Sequence, residues 1–469
     1  MGIEQRQVRR WHRWLAAIIG LQVLLWVVSG LYMSAAPIDW IHGDYWVKTE
    51  RRALPPASVI APAELQRQFP DSERFTLKTL LGQPVYEVHR PGSIVLVDAV
   101  SGVARAPLDA EAVQTLAQAR FAHPRAIRSI EWLEVAPAEV SSRPAPLWRV
   151  TFEGASAPTL YYSPYSGELL AKRFAGWRIF DALWMLHIMD YATRSNVNNA
   201  LLRLAAGIAL AFVVTGAVLL LVSRRRPVAV RSVRLPRRPW PARLHRWAAW
   251  AIGAQLLVWV ASGLTMSLLD HAAVEGHTYV RPAAAGEAID YASVQAPGAL
   301  AARQTGEVHR VAFHRALDGP VYLVTTATGV DRYNARTGEP QPVTAAVAQA
   351  VAAADYSGPG RLGPPEWMAT ADAETRGHDG VFWRVRTDDD LATTIYVSAR
   401  TGGVVERRTR VWRLFDIAWM LHIMDYRQRD DFNHPLLILM ALGGVGLSVS
   451  GVLLVWRRWR ATSRRPVVG

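Results

Sequence analysis

Four histidines occupy matched positions in a duplicated chain. His187 and His422 hold the same place in two copies of one stretch, WRIFDALWMLHIMDY at 177–191 and WRLFDIAWMLHIMDY at 412–426, identical at 12 of 15 positions. His12 and His245 match in a second pair, WHRWLAAIIGLQVLLWVVSGLYMS at 11–34 and LHRWAAWAIGAQLLVWVASGLTMS at 244–267, offset by 233. Repeats this close mark an internal duplication. Neutral imidazole is a good iron ligand, and two imidazoles opposed across a planar macrocycle form a bis-histidine haem site. Where equivalent residues meet across a two-fold axis, His12 faces His245 and His187 faces His422, which gives two non-covalent b-type haems at two depths. Other readings stay open. A histidine between Arg and Trp can be a plain interfacial anchor. An inner histidine could pair with a ligand from another span, and Met33 and Met266 are alternative axial ligands as well as ordinary packing residues.

The elements that must position these residues are membrane helices. Four runs carry no formal charge, at 14–38, 204–223, 247–269 and 432–456, and each has 20 or more residues. About 20 residues at a 1.5 Å rise cross a hydrocarbon core of roughly 30 Å. The first run is too long for a signal-peptide core and reads as retained. In the first span Gln22, Trp26, Ser29 and Met33 share a helical face, repeated by Gln255, Trp259, Ser262 and Met266 in the third. That face reads as a polar seam between the halves, or as a cofactor wall.

The net charge of +14 does not point to nucleic acid. Residues 1–14, 224–246 and 457–469 hold 4, 9 and 5 Arg against the one acid Glu4, more than the whole excess. Basic clusters beside spans set topology and touch anionic membrane lipid. Both termini and the central linker are therefore expected to be cytoplasmic, with the long intervening segments on the other side. The absence of cysteine excludes disulfides, covalent haem through C-x-x-C-H and Cys-ligated iron–sulfur clusters.

The expected order is a cytoplasmic lead (1–13), span (14–38), outward domain (39–173), amphipathic interfacial helix and turn (174–203) and span (204–223). A cytoplasmic Arg/Pro linker (224–246) then leads to span (247–269), outward domain (270–408), interfacial helix and turn (409–431), span (432–456) and cytoplasmic tail (457–469). Each half begins inside, so the halves form parallel repeats about an axis along the membrane normal. In the outward segments four strand–turn–strand patterns recur: VLVDAVSGVA (95–104), TLYYSPYSGELL (159–170), VDRYNARTGEP (330–340) and TIYVSARTGGVV (394–405). Their Ser/Thr-Gly pairs suit hairpin turns in which Gly takes positive φ. Helical stretches at 110–122 and 343–354 lie between strands, so each outward domain reads as two small α+β half-units.

These units resemble the PepSY domain, a helix on a small antiparallel sheet with a terminal D-A-x-[ST]-G hairpin. The LHRW…SGL pattern, followed later by LH and then by Thr215 and Gly216 or Ser450 and Gly451, resembles the PepSY-associated transmembrane family over most of the chain. The resemblance implies a membrane α-helical plus α+β protein of the bacterial cell inner membrane, multi-pass, with four transmembrane helices and two periplasmic PepSY-like domains. Some members are haem-binding inner-membrane reductases of ferric siderophores, while others have no settled activity. It thus implies a di-haem b oxidoreductase in iron uptake, with a ferric siderophore as acceptor. The donor would be a cytoplasmic protein or soluble reductant, or membrane quinol, since no dinucleotide fingerprint or P-loop is present. The alternative is a non-enzymatic, membrane-anchored PepSY module that binds periplasmic peptides, proteases or envelope partners. Ion-coupled transport is disfavoured by spans without charge. At the mouths of the first and third spans, IHGD and VEGH place His42, Asp44, Glu275 and His277 around a glycine, as a ferric-substrate contact or as loop caps.

Overall fold

The computed structural model describes residues 3–48, 52–55, 58–224, 240–282 and 291–463. Most of the Arg/Pro linker expected at 224–246, and the end of the tail at 457–469, lie outside the described residues. Two compact units result. One comprises Met1–Ile41, Ile179–Val274 and Val411–Gly469, and the other His42–Arg178 with Glu275–Arg410.

The first unit is helical. Its helices are α1 (Ile3–Ala35), α2 (Ala175–Ile188, shared with the second unit), α3 (Ala200–Arg224), α4 (Trp240–Leu268), α5 (Arg410–Ile423) and α6 (Pro435–Ser463). Four of them, α1, α3, α4 and α6, are long and apolar enough to cross a membrane. Pro241 and Pro435 fall in first turns, where a missing N–H is harmless. Asn199 Oδ1 accepts the Leu202 N–H at the start of α3, and His434 Nδ1 accepts that of Leu437 in α6. The basic lead expected to precede the first span is itself helical from Ile3, because nothing in it breaks a helix. The fourth span begins at Pro435 rather than 432.

Helices α1 and α4 each pack on both α3 and α6, which closes a four-helix bundle. Its interior is apolar, with Val23, Ala209 and Ile252 buried, while Trp11, Ile18, Leu204 and Leu439 are exposed around it. An exposed apolar perimeter of this extent suits lipid. Two asparagines close the helix ends across the duplicated sequence. Asn433 Nδ2 donates to the carbonyls of Ser34 (3.0 Å) and Ala36 (2.8 Å) at the end of α1. Asn198 Nδ2 donates to Ser267 (2.9 Å) and Leu269 (2.7 Å) at the end of α4. The last carbonyls of a helix have no partner within it, so each cap meets a real deficit.

The second unit is built on three antiparallel sheets. Strands β1 (Arg74–Leu80), β2 (Gln83–Arg90) and β3 (Ser93–Asp98) precede β4 (Ile127–Leu133), β5 (Leu147–Phe152), β6 (Thr159–Tyr162) and β7 (Leu169–Arg173). The later stretch supplies β8 (Val308–Ala316), β9 (Gly319–Thr326), β10 (Gly329–Asn334), β11 (Glu366–Met368), β12 (Phe382–Arg386), β13 (Thr394–Ser398) and β14 (Val404–Arg408). Strands β4–β7 and β11–β14 form four-stranded sheets, covered by helices Ala110–Arg120 and Ala345–Asp355. The remaining six join in the order β10-β9-β8-β1-β2-β3. The two segments between the long helices therefore share one sheet: Thr76 pairs with Ala312, Leu77 with Val311 and Lys78 with Arg310. Phe75 stacks on Phe313 across that seam at 4.9 Å. Pairing β1 with β8 removes two edges that would otherwise be open to aggregation.

The four recurrent turns fold alike. Asp98, Ser163, Asn334 and Ser398 each accept main-chain N–H groups two and three residues on. Gly102, Gly167, Gly338 and Gly402 follow at φ 75°, 69°, 73° and 79°, a region that only glycine enters freely.

Candidate histidine sites in the helical unit

The four histidines lie at two levels of the bundle. His187 lies at the end of α2 and His422 at the end of α5, and their rings approach each other with centroids 6.2 Å apart and planes at 87°. His12 on α1 stacks on Phe212 of α3 at 4.7 Å, and His245 lies at the matched place on α4. The structure thus brings together the partners expected from the sequence at the His187/His422 level. Along α1, His12 and the residue supporting His187 (Ser29) are 17 positions apart, about 25 Å at the helical rise.

Each imidazole is held at Nδ1 by a hydroxyl from the neighbouring helix. Ser29 Oγ lies 2.9 Å from His187 Nδ1, and Ser262 Oγ 3.0 Å from His422 Nδ1. Thr215 Oγ1 lies 3.0 Å from His12 Nδ1, and Ser450 Oγ 3.2 Å from His245 Nδ1. Ser29 and Ser262, read from sequence as a seam between the halves, thus serve the histidines of their own halves. Trp26 Nε1 donates to the His187 carbonyl at 2.8 Å. Gln22 reaches the Leu186 carbonyl at 3.4 Å, whereas the amide nitrogen of its counterpart Gln255 is buried without a partner. Met33 and Met266 lie one helical turn beyond Ser29 and Ser262.

Behind His187 and His422 stands a support that sequence reasoning missed. Asp181 pairs with Arg194 and Asp416 with Arg429, across the bend that follows each helix. Trp184 and Trp419 donate their indole N–H to the carbonyls of Arg194 and Arg429, both at 3.1 Å. Asp190 gathers main-chain N–H groups from Ala192 to Asn196, and Asp425 from Arg427 to Asp431. The identical WRxFD…WMLHIMDY residues were the available signal, because Asp, Trp and Asp recur at one spacing with His. Of the acid–imidazole groups, His42 ends a short helix (Ile38–His42) and Asp44 opens a 3-10 turn (Asp44–Trp46). Asp44 pairs with Lys172 and Glu275 with His277, around Gly43 and Gly276 at positive φ.

A family model described as PepSY-associated TM region matches residues 9–458. The chain belongs to that family. No curated protein matches it. The match spans all four helices of this PepSY-associated TM region and the β-sheet unit between them.

The histidine geometry can be compared with what a haem requires. A metal–imidazole bond of about 2 Å puts each ring centre about 3 Å from the metal, so two axial rings stand about 6 Å apart. The His187/His422 spacing of 6.2 Å fits. Among the described residues no three His, Asp or Glu side chains gather as a metal site. A pair of imidazoles suits a macrocycle, which brings iron's other four ligands itself.

Proposed function

We propose that the protein holds two b-type haems, one between His187 and His422 and one between His12 and His245, and conducts electrons across the membrane to an external acceptor. The observation that carries this reading is the pair of neighbouring rings, with centres 6.2 Å apart and planes nearly perpendicular, at the ends of two duplicated helices. Haem iron would supply one-electron steps across a layer that hydrocarbon alone blocks. The chain's own part is to bind at two levels about 25 Å apart, to orient the rings and to exclude water. On this reading the halves are parallel repeats about an axis along the membrane normal, with termini cytoplasmic and the β-sheet unit periplasmic in a bacterial inner membrane. The family resemblance supports a ferric siderophore as acceptor, and a cytoplasmic donor or quinol would feed the inner haem.

The test is an absorption spectrum of purified, haem-supplied protein with a dithionite-reduced difference. A Soret band with two haem equivalents is expected. Changing His187 or His422 to Ala should each remove or alter the same single haem while the protein still inserts. His12→Ala and His245→Ala should each perturb the other haem, and their combination should lose no more than one equivalent. Additive loss of two would reject sharing between the halves. A colourless, fully folded preparation would overturn the haem reading and leave the non-enzymatic PepSY binding module.

A further inference from the structure

We propose that four hydroxyls, Ser29, Thr215, Ser262 and Ser450, with Gly216 and Gly451 beside the inner two, are positioning residues that fix each histidine as its Nδ1–H tautomer and leave the Nε2 lone pair free for a metal. The haem reading supplies what Nε2 meets, but the tautomer assignment stands on hydrogen bonding alone.

A hydroxyl carries one proton. In all four residues a main-chain carbonyl about one turn back lies within hydrogen-bond distance and can take that proton. Ser29 donates to Leu25 (2.7 Å) or Trp26 (3.0 Å), and Thr215 to Phe212 (2.7 Å). Ser262 donates to Trp259 (3.1 Å), and Ser450 to Leu447 (2.8 Å). With the proton placed on that carbonyl, each oxygen accepts from the imidazole and Nδ1 is the donor. A second observation agrees at the inner level. The Phe212 carbonyl lies 3.3 Å from His12 Nδ1, and the Leu447 carbonyl 3.2 Å from His245 Nδ1. Carbonyl oxygens never donate, so both nitrogens again carry the proton. In a neutral imidazole the other nitrogen is then an acceptor, free to bind metal, and the hydrogen bond at Nδ1 strengthens it as a ligand.

At the inner level glycines set how closely each ring lies on its supporting helix, whereas at the outer level a Cβ would meet the ring only at ordinary contact distance. A Cβ at Gly216 would stand 3.1 Å from His12 Cε1, and at Gly451 3.3 Å from His245 Cε1. At Gly263 it would stand 3.4 Å from His422 Cε1, and at Gly30 3.8 Å from His187 Cε1. The Nδ1–Cε1 edge of each inner ring thus rests against a hydroxyl and a bare Cα. Hydroxyls that merely packed against a neighbouring helix would have no need of a histidine nitrogen in all four places.

The test uses Ser29→Ala and Thr215→Val in the full chain, one for each level, with Ser29→Thr and Thr215→Ser as conservative partners. Each hydroxyl-less variant should hold the haem at its own level about 10- to 100-fold more weakly, the usual scale for loss of such a support. The midpoint potential of that haem alone should rise, because a less basic imidazole stabilises ferric iron less. The conservative variants should restore both properties. Unchanged affinity and potential in Ser29→Ala and Thr215→Val would overturn the proposal. Wild-type protein labelled with 15N-histidine gives a second measurement, which needs neither haem nor a folded variant. Four buried histidines protonated at Nδ1 would support the assignment even if no haem bound, and Nε2–H tautomers would refute it.

Discussion

Glu87 shows how a single residue in the β-sheet unit answers to pH. Its side chain is 2 % exposed and lies between Lys78 and His89. Burial alone would raise its pKa, but hydrogen bonds from His89 and Lys78 and their charges outweigh that and hold it at about 2. A depressed carboxylate pKa means stability that is present above the unfolded value of about 4.5 and lost as pH falls toward about 2. One pKa unit is worth 1.36 kcal/mol, so the contribution is about 3 kcal/mol at most. The unfolding free energy of wild type minus that of Glu87→Gln should be level from pH 7 to 5 and shrink below it. A difference that did not change with pH would contradict the assignment. The same residue scale shows what sequence can and cannot reveal. The four histidines stood out because their copies match, whereas the partner of Ser29 lies 158 residues away and nothing local names it.

The elements that carry His187 and His422 end in a strained, braced bend. Met189 (φ 53°) and Met424 (φ 59°) sit in the left-handed region in both copies, at about 1 kcal/mol each for a residue with a side chain. The buried Asp416–Arg429 pair closes the bend in the second copy, with Asp416 only 2 % exposed. Arg429→Leu should remove one ion-pair partner from that buried carboxylate and loosen the bend, read as an earlier unfolding midpoint. If the proposed haem sits between His187 and His422, its loss should accompany this before global unfolding. Helix existence and turn chemistry were legible at this scale, since charge-free runs and Ser/Thr-Gly turns are local signals. Helix limits were less so: Arg6 to Arg13 read as a lead because they are charged, yet no residue there stops α1.

At the scale of the whole molecule, the seam between β1 and β8 is the feature the sequence concealed. Each strand's alternation shows which face is buried but does not identify its neighbour across more than 230 residues. Four half-units were legible; that two of them join into one six-stranded sheet was not. Phe313 is fully buried against Phe75. Phe313→Ala should cost about 3–5 kcal/mol. It should also increase hydrogen exchange in β1 as well as β8, while β11–β14 change little. Protection lost only in β8 would argue that the seam does not unite the two segments.

The clamp between Asn433 and the end of α1 joins residues 399 positions apart. A ribosome adding about 5–20 residues per second needs roughly 20–80 s to cover that distance. During that interval the last carbonyls of α1 are uncapped by their final partner, and for roughly 12–47 s of it β1 is also without β8. The nascent chain therefore passes through a long-lived, half-finished state with an open strand edge, at which chaperones, proteases or a second nascent chain could act.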